Sequence, residues 1–171
     1  MLKALNIEFE KAVRLLSKHM PVSDEKTRKP ILFHDIRVGV YLYEHGYSQE
    51  IILGGLLHDT LEFSEITEQM LRDEFGDQIT KLVLASTKDD SIEDKEEKTK
   101  ELINRCVQNG QDALIVKTAD ILDSFKYYTA TNSTGEIEYC MRNARAIFHF
   151  MPAEFNDKIF AELKPWMEEC V

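Results

Sequence analysis

Apolar residues in this 171-residue chain recur every three or four positions, and strict alternation is never sustained for long. That is the period of a helix with one buried stripe, not of a strand. From about Lys3 to Met20, the residues Leu5, Phe9, Ala12, Val13, Leu16 and Met20 share one stripe, and Pro21 ends the run. Val22 to Pro30 reads as a polar loop that carries Lys26, Arg28 and Lys29. A second helix is predicted from about Phe33 to Glu44, with Gly46 as the residue just past its end. Ser48 caps a third, in which Ile51, Ile52, Leu56 and Leu57 are apolar nearly all round, the pattern of a helix central to the fold. Gly54-Gly55 inside it lowers helix propensity, which predicts a neighbour packed close against that face.

Thr67 starts a short helix over Glu68 to Phe75, Gly76 stops it, and Asp77 is expected to cap another through about Thr87. The almost wholly charged stretch from Lys88 to Lys100 predicts a solvated loop and the exposed first turns of a helix. That helix runs to Val107 and stops at Asn109-Gly110. Asp112 opens a buried helix to about Tyr128, and Ala130 to Gly135 is a loop. Two last helices, about Glu136 to Phe150 and Ala153 to Met167, are separated by Pro152. The expected fold class is all-α, a single domain of eight or nine helices over residues 1–171, with no repeat and no linker.

Composition narrows the class. Hydrophobic residues make up 43% and charged residues 30%, as in ordinary soluble globular proteins. No apolar run approaches the ~18 residues of a membrane span. The N-terminal stretch reaches an acid at Glu8 without an apolar core, so no secretory leader is expected. Cys106, Cys140 and Cys170 are widely scattered, which argues for reduced thiols and a cytoplasmic location. A net charge of -10 disfavours binding to nucleic acid or to an anionic membrane surface. A small anionic substrate is compatible with it, because a metal and a few Lys or Arg side chains reverse the sign inside a cleft.

Three apolar stretches end in residue types that bind metals. Ile31-Leu32-Phe33 leads into His34, the run from Ile51 to Leu57 leads into His58-Asp59, and Ala113 to Ala119 leads into Asp120. A buried carboxylate is costly unless it is paired or bound to a metal, and one shared divalent cation satisfies all four side chains at once. Histidine with carboxylate suits Mn, Fe, Zn or Mg, whereas a structural zinc site would carry cysteine. The competing reading makes His34 and His58 hydrogen-bonded core residues; their co-occurrence with two acids argues against it. His19 ends the first helix, where imidazole suits the helix dipole, and a role at the edge of the substrate is an equal reading of it. His45 is read as a helix C-terminal residue and His149 as a packing residue.

The order His34, His58-Asp59, Asp120 resembles the H…HD…D pattern of the HD-domain metal-dependent phosphohydrolases. The likeness is greatest to the hydrolase domain of the RelA/SpoT-type alarmone enzymes and their small stand-alone relatives. It rests on His19, Pro30-Ile31-Leu32-Phe33-His34, Leu56-Leu57-His58-Asp59-Thr60-Leu61-Glu62, Phe75-Gly76 with Leu82-Val83 and Thr87-Lys88, and Lys117-Thr118-Ala119-Asp120. Coverage runs from about Phe9 to Phe125. The resemblance implies an HD-type helical bundle with one divalent metal, Mn2+ first and Fe, Zn, Mg, Co or Ni as alternatives. It implies a phosphorylated, nucleotide-like substrate, with guanosine (p)ppGpp 3′-pyrophosphate hydrolysis as the specific activity. The alternatives are an HD-type nucleoside 5′-monophosphate phosphatase and a metal- or nucleotide-binding protein without turnover. A homodimer is entertained as the assembly, although no residue pattern argues for it.

Glu62 lies three residues after Asp59 and is expected to orient or deprotonate the attacking water. Lys26, Arg28, Lys29, Lys88, Lys117 and Ser124 are the expected substrate contacts, with a solvated loop or structural ion pairs as the competing reading of the lysines and the arginine. Phe125, Tyr127 and Tyr128 offer rings to a base or to the core, and Arg142 and Arg145 share a helix with Tyr139. Several departures from the family pattern stand out. Phe63 replaces the second acid of a Glu-Asp pair, Ile121 and Ser124 replace an Arg and an Asn, and Thr27-Arg28-Lys29-Pro30 replaces a Ser-Gly-Glu-Pro loop. The metal-ligand pattern is kept while its surroundings change, which points to a hydrolase whose substrate has drifted.

Overall fold

The computed structural model describes Leu2–Glu169; Met1, Cys170 and Val171 lie outside the described residues. Among the described residues there is no strand, and the chain forms nine helical segments. They are α1 (Leu2–His19), α2 (Ile31–Glu44), α3 (Gln49–Leu57), α4 (Thr60–Phe63), α5 (Glu68–Ser86), α6 (Lys95–Gln108), α7 (Gln111–Ala130), α8 (Thr134–Phe150) and α9 (Lys158–Glu169). The all-α expectation holds, and no helix among the described residues is long and apolar enough to cross a membrane. The chain divides into two compact units, Met1–Thr87 and Lys88–Val171.

In the first unit the stripe of α1 buries Ala12, Leu16 and Met20 against Leu53, Leu56 and Leu57 of α3 and Leu71, Ile79 and Val83 of α5. Every residue of α3 from Ile51 to Leu57 is buried, as its all-round apolar pattern predicts. The Ser48 hydroxyl accepts from the Ile51 N–H at 3.4 Å, and Gly46 past the end of α2 adopts φ +74°. Helix α2 begins two residues before the expected start. Pro30 supplies the extended residue ahead of it, and its carbonyl accepts from His34 N–H at 2.9 Å.

Helices α2 and α3 meet through reciprocal glycines. A Cβ on Gly55 would overlap Leu42 Cδ1 and lie 3.2 Å from Val38 Cγ1, while one on Gly39 would lie 3.0 Å from Leu56 Cβ. The glycine pair in α3 therefore has the packing reason expected of it, at Gly55. Helix α5 is broken at Gly76, where φ +83° and ψ 171° leave the helical region, so the predicted stop is real. Asp77, expected to cap the second half, engages the Arg72 guanidinium, which also binds Glu68 Oε1 at 2.5 Å. The pair of contacts fastens Arg72 across the break.

In the second unit Asp94 caps α6 by accepting from Glu97 N–H at 2.8 Å, so the charged stretch is a loop and an exposed first turn as predicted. Gly110, at φ +101°, turns the chain into α7, whose residues from Ala113 to Leu122 are all buried. Phe125 stacks on Trp166 at 6.2 Å in the interior, so of the two readings of that ring the core one holds. Two expectations need correction. The last helix starts at Lys158, not Ala153. Phe155 N–H closes a turn on the Pro152 carbonyl, and Asp157 caps the helix by accepting from Ile159 N–H at 3.0 Å. His149 is exposed and packs edge-to-face on Phe150 instead of entering the core.

Two outcomes follow from this packing. Replacing Gly55 by Ala displaces the buried Leu42 side chain at the α2–α3 contact and should lower unfolding stability by about 1–3 kcal/mol in urea titration; an unchanged midpoint would contradict the close approach. Burial pushes the Cys106 thiol up to about 12. A raised folded value contributes stability that is fully present below the ordinary thiol range and is lost as pH climbs from that range to the raised value. In mildly alkaline buffer Cys106 should resist iodoacetamide in the native protein and react readily in urea, as read by peptide mass spectrometry.

Candidate metal centre

Helix α2 delivers His34 and Asp35 from its first turn, and the turn after α3 delivers His58 and Asp59. Asp59 sits at φ -92°, ψ -3°, between the α and β regions, where the helical path is interrupted before α4. The Thr60 hydroxyl donates to the Leu57 carbonyl at 2.7 Å and so occupies an acceptor that the end of α3 leaves open. All four side chains are withdrawn from solvent: His34 and Asp35 are 0% exposed, His58 1% and Asp59 5%.

Their polar atoms converge. His34 Nε2 lies 3.3 Å from His58 Nε2, and the two nitrogens lie 3.9 Å and 3.4 Å from the Asp59 oxygens Oδ2 and Oδ1. One donor atom from each of His34, Asp35, His58 and Asp59 can be chosen so that all lie within 4.8 Å of one another. Two donors, each ~2.1 Å from a shared cation and about 90–110° apart around it, are roughly 3.0–3.4 Å from each other. The His34–His58 and His58–Asp59 separations match that spacing.

The chemistry of the donors agrees with the geometry. His58 Nδ1 is 2.7 Å from the Gly55 carbonyl oxygen, which carries no hydrogen, so Nδ1 is the donor. In the neutral ring Nε2 is then bare, and its lone pair faces a second imidazole nitrogen and a carboxylate. Lone pairs gathered in this way are stabilised by a cation, and a backbone carbonyl that fixes the tautomer is a common support of metal-binding histidine. The residues present therefore fit a divalent metal.

The cluster contains His34, His58 and Asp59 of the expected ligands. Asp120 stands on α7 in the second unit, where Lys117 Nζ donates to Oδ2 at 2.7 Å and the Ser124 hydroxyl to Oδ1 at 3.3 Å. Lys117 is 1% exposed, a buried ammonium matched to a buried carboxylate. Lys117 and Ser124, expected to touch substrate, thus both serve Asp120 in this structure. Glu62 is half-buried on α4, and its N–H donates to the Asp59 carbonyl at 3.2 Å, one turn on from that residue.

The basic loop is held by Asp24, whose carboxylate accepts from Lys26 N–H at 2.9 Å and from the Thr27 hydroxyl at 3.0 Å. Lys26 and Arg28 are exposed, whereas Lys29 is buried. The Lys88 ammonium lies 6.0 Å from the centre of the Tyr139 ring, and Arg142 donates to the Thr99 hydroxyl at 3.2 Å. His19 Nδ1 and Glu65 Oε1 are 2.9 Å apart, and this bond holds the Glu65 carboxyl below its usual range. Of the departures from the family pattern, Phe63 packs against the core of the first unit, and Ile121 and Ser124 are fully buried.

Asp35 is the residue that sequence reasoning missed. Its signal was present: His34-Asp35 is itself a His-Asp pair, the second in the chain beside His58-Asp59.

Known proteins carry the same arrangement of elements. A family model described as an HD domain matches residues 12–154, so the chain belongs to the HD-domain family. A guanosine-3′,5′-bis(diphosphate) 3′-pyrophosphohydrolase of Aquifex aeolicus (strain VF5) is 30% identical over 121 residues, 70% of this chain. A probable guanosine-3′,5′-bis(diphosphate) 3′-pyrophosphohydrolase of Mycoplasma pneumoniae is 33% identical over 107 residues, 56% of this chain. This chain spans only 17% and 15% of those two proteins. Among solved structures, a metazoan ortholog of SpoT described as hydrolysing ppGpp matches with a TM-score of 0.76 at 17% identity, over 95% of this chain and 94% of that one. A Listeria monocytogenes protein matches with a TM-score of 0.66 at 22% identity, over 80% and 97%. At these identities the structures speak to the fold.

The site is testable without a substrate. Mn2+ at a hundredfold excess over its Kd should raise unfolding stability by about 2.7 kcal/mol. The increment should vanish in His34→Ala, His58→Ala and Asp59→Ala; its persistence in all three would place the metal elsewhere.

Proposed function

We propose that the chain is a metal-dependent phosphohydrolase acting on a phosphate or pyrophosphate ester of a nucleotide, with the 3′-pyrophosphate of a guanosine alarmone as the specific substrate. The observation that carries this reading is the convergence of His34 Nε2, His58 Nε2 and the Asp59 carboxylate in a buried pocket of donors. Family membership and the names of the Aquifex and Mycoplasma relatives support it.

His34, His58 and Asp59 would hold the metal, and Asp120, the last acid of the motif, enters the proposal on the sequence pattern alone. The bound cation supplies a lowered water pKa and neutralises phosphate charge. The protein's own groups do the rest. The Gly55 carbonyl keeps the proton on His58 Nδ1, so that Nε2 stays available. Buried residues from Ile51 to Leu57 back the donors with apolar surface, which strengthens every charge interaction at them. Glu62 accepts the proton released by the attacking water. Lys26, Arg28, Lys29 and Lys88 would contact the phosphates.

Phe63 spends the position of the family's second acid on core packing, and with Ile121 and Ser124 it supports a nucleotide- or metal-binding protein without turnover as a second reading. Within the enzyme class the rival is a nucleoside 5′-monophosphate phosphatase, which Glu62 does not distinguish. The product separates the two: pyrophosphate from an alarmone, or inorganic phosphate from a monophosphate. Purified protein with Mn2+ and a nucleotide panel decides between them. Tight nucleotide binding with neither product would sink the enzyme reading in favour of a binding protein. Glu62→Gln should lower kcat by roughly 10²–10⁴-fold while Mn2+ affinity stays unchanged.

A further inference from the structure

His58 uses its two ring nitrogens for different partners. Nε2 faces His34 and Asp59, and Nδ1 faces the Gly55 carbonyl at 2.7 Å and Asp35 Oδ1 at 3.7 Å. The two nitrogens of one imidazole point away from each other, so a cation on Nε2 has Asp35 behind the ring. Asp35 belongs to the cluster by distance, and its approach to His58 is on the Nδ1 side of the ring. Its carboxylate is 0% exposed and stands on α2 directly after the ligand His34.

We propose that Asp35 is a positioning residue for the metal centre: its buried carboxylate behind His58 holds the ring in the Nδ1–H form and raises the affinity of the Nε2 face for a divalent cation. The inference rests on the metal reading above and adds a residue to it.

The physical reason is electrostatic. The Nδ1–H bond to Gly55 already fixes one proton, and a negative charge 3.7 Å from the same nitrogen favours that proton further. Electron density pushed toward Nε2 makes it a better donor to a metal, and carboxylates placed behind metal-binding histidines commonly change affinity about 10–100-fold. In a buried site the attraction between this carboxylate and the cation is weakly screened. His34 and Asp35 are consecutive, so one turn of α2 supplies both a donor and the support for the donor opposite it.

The test is made on the full chain by titration calorimetry with Mn2+ alone, comparing wild type with Asp35→Asn, which removes the charge and keeps the shape. The variant should bind Mn2+ about 10–100-fold more weakly. An unchanged affinity in a folded variant overturns the role of Asp35 and leaves the metal site standing. A wild type that binds no Mn2+ overturns both. A second measurement needs no variant. Heteronuclear NMR of the wild-type imidazoles with Zn2+, which is diamagnetic, should show His58 bound through Nε2 with Nδ1 still protonated. Binding through Nδ1 would overturn the proposal whatever the fate of the substituted protein.

Discussion

The close approach of α2 and α3 is the constraint on which the buried His-Asp cluster depends. Each helix gives up a side chain where the other must enter: Gly39 opposite Leu56, and Gly55 opposite Leu42 and Val38. Glycine in a helix interior costs up to about 1 kcal/mol of propensity relative to alanine. Here that cost is offset by the burial of Leu42, Leu56 and Val38, each 0% exposed. The contact brings the first turn of α2 beside the turn that follows α3, and two histidines that are 24 positions apart in sequence come to 3.3 Å. The same Gly55 contributes its carbonyl to His58, so packing and tautomer are set at one residue.

The donors of the first unit and the acid on α7 illustrate two ways of keeping charge in an apolar interior. Around His58 the imidazoles and Asp59 bring lone pairs together in a buried cluster of donors. At Asp120 a protein ammonium, Lys117, already supplies the positive charge, with Ser124 as a second donor. Buried pairs of this kind contribute little net stability against an apolar replacement, but removing one member leaves the other charge exposed to the full desolvation cost.

Much of this was legible in the sequence, for reasons tied to particular residues. Helical period with Pro21, Ser48, Gly76 and Gly110 as punctuation placed most boundaries, because caps and breakers act locally. His34, His58 and Asp59 were legible because each follows an apolar run, and burial of such groups demands a partner. Tertiary context hid the rest. The start of α9 depends on the turn closed at Pro152 and the Asp157 cap, and nothing in the spacing of apolar residues marks either. Asp35 was not legible because an acid beside His34 looks like an ordinary polar position until its 0% exposure is known. The bonding of Ser124 and Lys117 to Asp120 follows from i+4 and i-3 spacing on α7, yet the same residues read equally well as substrate contacts.

The loop between α1 and α2 closes on itself. Asp24 accepts from both Lys26 and Thr27, so the shape of the loop is encoded within four residues and owes little to whether Glu25, Lys26 or Arg28 is present, all three exposed. That makes the segment a region of high evolvability. Charge and reach can be varied in a combinatorial library at those three positions while the turn geometry and the helices on either side persist. The sequence can drift here by small steps while the scaffold beneath it stays fixed.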